Sequence, residues 1–486
     1  MMMPRTALLI VSLCWMSAGS AQQAVALKSE AWSFIEARAD VFAEANRTIW
    51  RAAEGSLQEV KSARALQTLL ADNGFEVEAG VAGMPTAFVA SFGSGRPVIG
   101  FLAEYDALPG VSQAAVPTPN IGPNPEAGHA CGHSVFGVGS TAAALAVKEL
   151  IAAGKLKGTV KLYGTPAEET GIGKIYMLRA GYFKGDDVIL SWHAGDKTQA
   201  SYGSTKAIVN VKFKFTGVAA HASAAPFGGR SALDAVELMN TGVNFMREHV
   251  KQDARIHYVI TDGGGQPNVV PPVAEVWYYI RANDFNDVVD YFAWVKQIAE
   301  GAAQMTQTRL TQVEVQSEMH ELFPVRTLAQ TVHQNLTTVG PPQWDAAEKE
   351  FARATQAAFG SPQGRSYENP IALHAAVEPL PEHLSEPRAS TDQGDISWFV
   401  PTGGLRVAAF GYGLPIHSWP VVAATGTSIG TKALLVAGKT LAATAVDLYT
   451  DPALLASVKA DWQQTRGDAP WKTLIPEGQV APTQVR

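Results

Sequence analysis

Three short apolar runs in this chain each lead into acids or a histidine. Arg96-Pro97-Val98-Ile99-Gly100-Phe101-Leu102-Ala103 leads into Glu104 and, two residues on, Asp106. Gly158-Thr159-Val160-Lys161-Leu162-Tyr163-Gly164-Thr165-Pro166-Ala167 leads into Glu168-Glu169, and Asp187-Val188-Ile189-Leu190-Ser191-Trp192 into His193. Apolar runs of this length suit strands covered on both faces, as in a parallel sheet. In an open α/β sheet, ligands gather beyond the carboxyl ends of the strands. Taken alone, Glu168-Glu169 reads more readily as a solvated helix start that the helix dipole favours than as catalytic. Recurrence over three runs points instead to one rim that carries Asp106, Glu168, Glu169 and His193.

A second element belongs on that rim. Gly128-His129-Ala130-Cys131-Gly132-His133-Ser134 places two imidazoles and a thiol within five positions. These are donors for borderline-soft divalent cations such as zinc. The flanking glycines allow a tight bend. Phe136 to Val147 follows as a small-residue run with an Ala-rich second half of high helix propensity. Cys131 and His133 are therefore expected at the entrance of a closely packed helix.

With 486 residues, 47% of them hydrophobic, the chain is long enough for two or three domains with sizeable cores. A formal net charge of −7, with scattered Lys and Arg, gives no nucleic-acid footprint. Residues 1–21 read as a secretory leader, with Arg5, an apolar stretch from Ala7 to Met16 and a small-residue end at Gly19-Ser20-Ala21. Export to a periplasmic or extracellular space is expected, and no later stretch reads as a membrane span. After cleavage only Cys131 of the two cysteines remains, so no internal disulfide is possible. A cation on that lone thiol would protect it from oxidation.

From Thr205 the pattern changes. Lys206 to Phe215 largely alternates polar and apolar residues, and the order from there to Met319 reads strand, helix, strand, strand, helix, strand. That is the ferredoxin-like order. The expected organisation is a catalytic domain over 22–205 and 325–468, an inserted α+β domain over 206–324, and a surface tail over 469–486. The returning half carries Ser390-Thr391-Asp392-Gln393-Gly394-Asp395, a loop with His417, and a long Ala-rich helix from Thr425 to Leu448.

These segments together resemble the metal-dependent aminoacylase/carboxypeptidase family of amidohydrolases, in the branch that uses Cys-Gly-His. Ala103-Glu104-Tyr105-Asp106-Ala107-Leu108-Pro109-Gly110, the Gly-His-Ala-Cys-Gly-His element and the Ser390 to Asp395 block look most like members that act on aminobenzoyl-glutamate. The resemblance spans about Trp32 to Tyr449. It implies an α/β, zinc-exopeptidase-like catalytic domain with a mixed sheet, an inserted lid and dimerisation domain, and two divalent ions, zinc or manganese. It implies Cys131, His133, Glu169, His193 and His417 as metal ligands, Glu168 as general base, and Asp106 as a residue orienting a ligand. His221 corresponds to a lid histidine that reaches a partner subunit's site and steadies the developing oxyanion. Asn268 and Arg281 correspond to substrate-binding positions. His129 has no ligand role in the family, and Ser134 stands where relatives commonly carry Asp or Asn. The implied reaction is hydrolysis of an amide in N-acyl amino acids, in a homodimer or in a heteromer with a related subunit. A dipeptidase or broad aminoacylase on the same scaffold, and a non-catalytic partner subunit, are the alternatives.

Overall fold

The computed structural model describes residues 7–360, 371–384 and 386–483, with side chains from Gln22 onward. Residues 1–6 and the side chains up to Ala21, which carry the expected leader, lie outside the described residues.

The three apolar runs form adjacent strands. A seven-stranded sheet runs in the order Glu76–Ala79, Phe88–Ser94, Gly158–Gly164, Val98–Ala103, Val188–Gly195, Thr402–Ala408, Gln199–Ala200. The four strands from Gly158–Gly164 through Thr402–Ala408 are mutually parallel, and the outer ones antiparallel. Val98–Ala103 sits between two strands that come later in the chain, so the crossovers leave in opposite directions around it. That switch point is where a parallel sheet opens a crevice. Strand Thr402–Ala408 pairs residue for residue with Val188–Gly195, which shows that the chain does return to the first sheet. His193 lies inside its strand, which continues to Gly195.

Phe101 and Leu102 are fully buried in the central strand. Above them lies helix His133–Ala152, whose Phe136 carbonyl accepts from Trp192 Nε1 at 2.9 Å. Helix Ser428–Thr450 packs beside it and also touches strands Thr402–Ala408 and Val188–Gly195. A Cβ on Gly438 would lie 3.1 Å from the Gly139 carbonyl oxygen, so small residues set this approach. Both helices are long and apolar enough to cross a bilayer by length and composition, contrary to the expectation that no later stretch reads so. Each has 78% of its apolar window buried inside the protein, where neighbouring helix and sheet take the place of lipid.

The middle of the chain forms a separate four-stranded antiparallel sheet, ordered Arg255–Asp262, Val273–Ala282, Ala207–Thr216, Arg309–Met319, with helices Ala232–Met246 and Phe285–Thr306 against it. This is the ferredoxin-like arrangement. Residues 469–486 are expected as a surface tail; those described, 469–483, are mostly exposed, but the segment is docked, with Ile475 and Ala481 buried. Leu474 N donates to Glu318 at 2.6 Å, and Gln479 reaches Tyr176 and the Val315 carbonyl. A few apolar residues among prolines suffice to dock the segment. Helices Arg326–Val339 and Pro452–Arg466 also went unread.

Truncating Phe101 to Ala should lower unfolding free energy by about 3–5 kcal/mol in urea denaturation, as expected for an aromatic deleted from a closed core.

Candidate metal centre

The sharp turn before helix His133–Ala152 depends on Gly132, whose φ is 84°. A Cβ there would sit 2.6 Å from Ala194 Cβ, so glycine lets the turn press against strand Val188–Gly195. Cys131 Sγ and His193 Nε2 are consequently 3.3 Å apart. His193 Nδ1 donates to the Ala194 carbonyl at 2.7 Å, which leaves Nε2 as a lone pair facing the thiol. On the other side, Asp106 Oδ1 takes His133 Nδ1 at 2.8 Å and Asp106 Oδ2 takes the Glu169 amide at 3.0 Å. One carboxylate thus orients an imidazole and fixes the Glu168-Glu169 turn. His417 joins through its backbone, whose N–H donates to the Ala130 carbonyl at 2.8 Å. Its Nε2 lies 3.4 Å from Glu169 Oε2, and its half-exposed ring marks the mouth of the cluster.

Donor atoms of Cys131, His133 and His193 lie within 4.8 Å of one another, and so do those of Cys131, Glu169 and His417, and of Glu104, His133 and Glu168. Cys131 and His133 each belong to two of these groups. One sulfur, three imidazoles and adjoining carboxylates match borderline divalent cations. The donors are also unclaimed by the protein: His133 Nε2 and Glu169 Oε1 are buried without a hydrogen bond. Such orphans are costly unless something occupies the space they face. The residues fit a cation, or a pair of them.

The electrostatics agree with that fit. Burial raises the Glu168 carboxyl well above the ordinary range, and the nearby Glu104 raises it further against the pull of His133. Burial likewise pushes Glu169 up to about 7, partly offset by His133. Burial and then Arg406 hold His193 down at about 3, so its imidazole is neutral and available as a ligand. Burial, then the charge of Glu169, raises the Cys131 thiol. Without added positive charge, the carboxylates and the thiol resist ionising together.

The other expected residues fall elsewhere. Arg281, on strand Val273–Ala282 of the second sheet, donates to Ser390 Oγ at 3.1 Å, and its charge couples to Tyr279 and Glu168. Its Nε is buried and unpartnered. His221 and Asn268 are exposed and adjacent: His221 bridges Val269, and the Asn268 carbonyl accepts from Ala222 at 2.9 Å. Among the described residues neither bonds to the cluster. His129 points away from it, with Nε2 on the Ile49 carbonyl at 3.1 Å.

Several residues around the cluster were not singled out from sequence. Lys174, fully buried, contacts Glu104 at 2.9 Å and Asp392 at 2.5 Å. Gln393 Nε2 reaches Glu104 at 3.2 Å. Glu59 accepts from the Ala167 amide at 2.9 Å and so holds Ala167, whose φ is 57°, directly ahead of Glu168. Burial, with Asp106 beside it, raises the Glu59 carboxyl to about 8. Glu104 ends the same apolar run as Asp106, and Asp392 lies in the Ser390 to Asp395 block. Lys174 had the plainest signal, a single charge in Gly171-Ile172-Gly173-Lys174-Ile175.

Residues 100–361 match the model of peptidase family M20/M25/M40. The chain is 39% identical over 476 residues to a subunit of the p-aminobenzoyl-glutamate hydrolase of Escherichia coli K12, covering 93% of this chain and 98% of that one. It is 29% identical over 465 residues to mouse Xaa-Arg dipeptidase, covering 91% and 94%. A Bacillus subtilis protein described as a dinuclear metal binding peptidase of the M20 family superposes with TM-score 0.53 at 19% identity, covering 85% of this chain and 99% of that one.

Replacing Lys174 by Met should lower stability by about 3–5 kcal/mol in urea unfolding, because two buried carboxylates lose their partner.

Proposed function

The chain belongs to peptidase family M20/M25/M40 and is a metal-dependent hydrolase of amide bonds; from that premise we propose that it cleaves N-acyl amino acids of the aminobenzoyl-glutamate type. The observation that carries the reading is the gathering of Cys131, His133, His193, Glu169 and His417 beside Glu168, whose side chain has no hydrogen bond of its own among the described residues. The amino-acid half of the substrate is suggested by the 39% identical relative, whose name specifies aminobenzoyl-glutamate.

In this reading Cys131, His133, Glu169, His193 and His417 hold two divalent ions, zinc or manganese. Ions bound there would polarise the amide carbonyl and make a water acidic enough to attack it. Glu168 takes the proton of the attacking water and passes it to the leaving amine. Asp106 keeps His133 in one tautomer and the Glu169 turn in place. Arg281 has an unpartnered Nε and faces Glu168, a position suited to a substrate carboxylate. His221 and Asn268 act across a dimer: exposed here, they serve the partner subunit's site, where His221 steadies the oxyanion. The assembly is a homodimer, or a heteromer with a related chain, since the Escherichia coli relative is itself one subunit of its hydrolase. Residues 1–21 export the chain to a periplasmic or extracellular space.

A dipeptidase is the second reading, favoured by similarity to Xaa-Arg dipeptidase. Assays of the purified chain with divalent metal against acyl-amino acids and dipeptides separate the two. Hydrolysis confined to dipeptides would overturn the first.

Glu168→Gln should retain its metal by elemental analysis yet lose at least about 10²-fold in turnover. Near-normal turnover would remove Glu168 as the base. Cys131→Ala should lose metal, and chelation should abolish wild-type activity until divalent ions are restored. An unchanged metal content in Cys131→Ala would exclude the thiol as a ligand.

A further inference from the structure

Glu104 follows the central strand Val98–Ala103, and its side chain is fully buried. Its two oxygens have different surroundings. Oε1 faces Lys174 Nζ at 2.9 Å and Gln393 Nε2 at 3.2 Å. Oε2 has no hydrogen bond. It lies 3.3 Å from His133 Nε2, which is also buried and unbonded. Glu168 Oε2 approaches the same nitrogen at 3.9 Å. With Asp106 accepting from Nδ1, His133 turns Nε2 toward both carboxylates. The donor atoms of Glu104, His133 and Glu168 all lie within 4.8 Å of one another, a spacing at which one divalent cation serves all three.

We propose that Glu104 is a further ligand of the cation held by His133, with Lys174 and Gln393 as positioning residues that fix its carboxylate. The inference rests on the metal-centre reading above and adds a donor to it. The supporting frame is buried and hydrogen-bonded. Lys174 Nζ contacts Asp392 Oδ1 at 2.5 Å, and its backbone N–H donates to Asp392 Oδ2 at 3.1 Å. The ammonium is therefore held at both ends of a buried bridge. One lysine is shared between two buried carboxylates, and it engages Glu104 only through Oε1, so Oε2 is left turned toward His133 without a hydrogen bond.

The test uses purified full-length wild type, Glu104→Gln and Glu104→Asp, stripped of metal and titrated with cobalt(II). Binding is followed by calorimetry and by the visible absorption of the bound ion, and folding by circular dichroism. Gln keeps the size of the side chain and Asp keeps its charge while withdrawing the oxygen. Both variants should fold, lose about 10- to 100-fold in affinity for one cobalt ion, and show an altered cobalt spectrum. A spectrum and affinities unchanged from wild type in either folded variant would overturn the assignment and leave the reading of the centre standing. Failure of the wild type to bind cobalt would overturn both.

Discussion

The structure depends on keeping acids together where water is scarce. Glu59, Glu104, Asp106 and Asp392 are all buried, with Glu168 and Glu169 nearly so, along one rim of one sheet. Each ion withdrawn from water carries a desolvation penalty of several kcal/mol unless paired. Lys174 balances part of this charge, and backbone amides at Ala167, Lys174 and Glu169 contribute further. The remaining carboxyls are left without a cationic partner, and imidazoles and a thiol surround them. A protein core keeps such a group of residues where binding a cation offsets the penalty, which is how an energetic defect of the bare chain becomes its chemistry.

The sheet supplies the geometry. Parallel strands bring their carboxyl ends to one side, so residues more than sixty positions apart meet there without long loops. Backbone contacts then set the finer positions. Gly132 admits Ala194 against the turn, His417 is tied to the Ala130 carbonyl, and Glu59 holds the left-handed Ala167 ahead of Glu168. Strain of this sort persists only where the surroundings over-determine it. The second sheet brings Arg281 from its own strand to Ser390, where its charge couples to Glu168.

Much of this was legible in the residues, and the reasons differ by element. The parallel strands were readable because full burial leaves an uninterrupted apolar run, and Asp106, Glu169 and His193 because each stands where such a run ends. Cys131 and His133 were readable from spacing. Alternation from Lys206 onward gave the ferredoxin-like order because one face of an antiparallel sheet is covered. The frame of Lys174, Gln393 and Asp392 was not legible, since pairing across 218 positions leaves no local pattern. The docked C-terminal segment was missed for a related reason: its prolines and polar residues read as surface, and the anchoring contacts of Leu474 and Gln479 are made with distant Glu318 and Tyr176. His221 and Asn268 were named by resemblance alone, and among the described residues neither bonds to the cluster.

The central claim is that cations occupy the space between Cys131, His133, Glu169, His193 and His417. Anomalous X-ray diffraction from crystals of the protein grown with zinc, recorded on both sides of the metal's absorption edge, tests it most directly. The account predicts two anomalous peaks about 3.5–4 Å apart, enclosed by these five side chains and adjoining Glu168. Strong peaks elsewhere with none among these residues would contradict it.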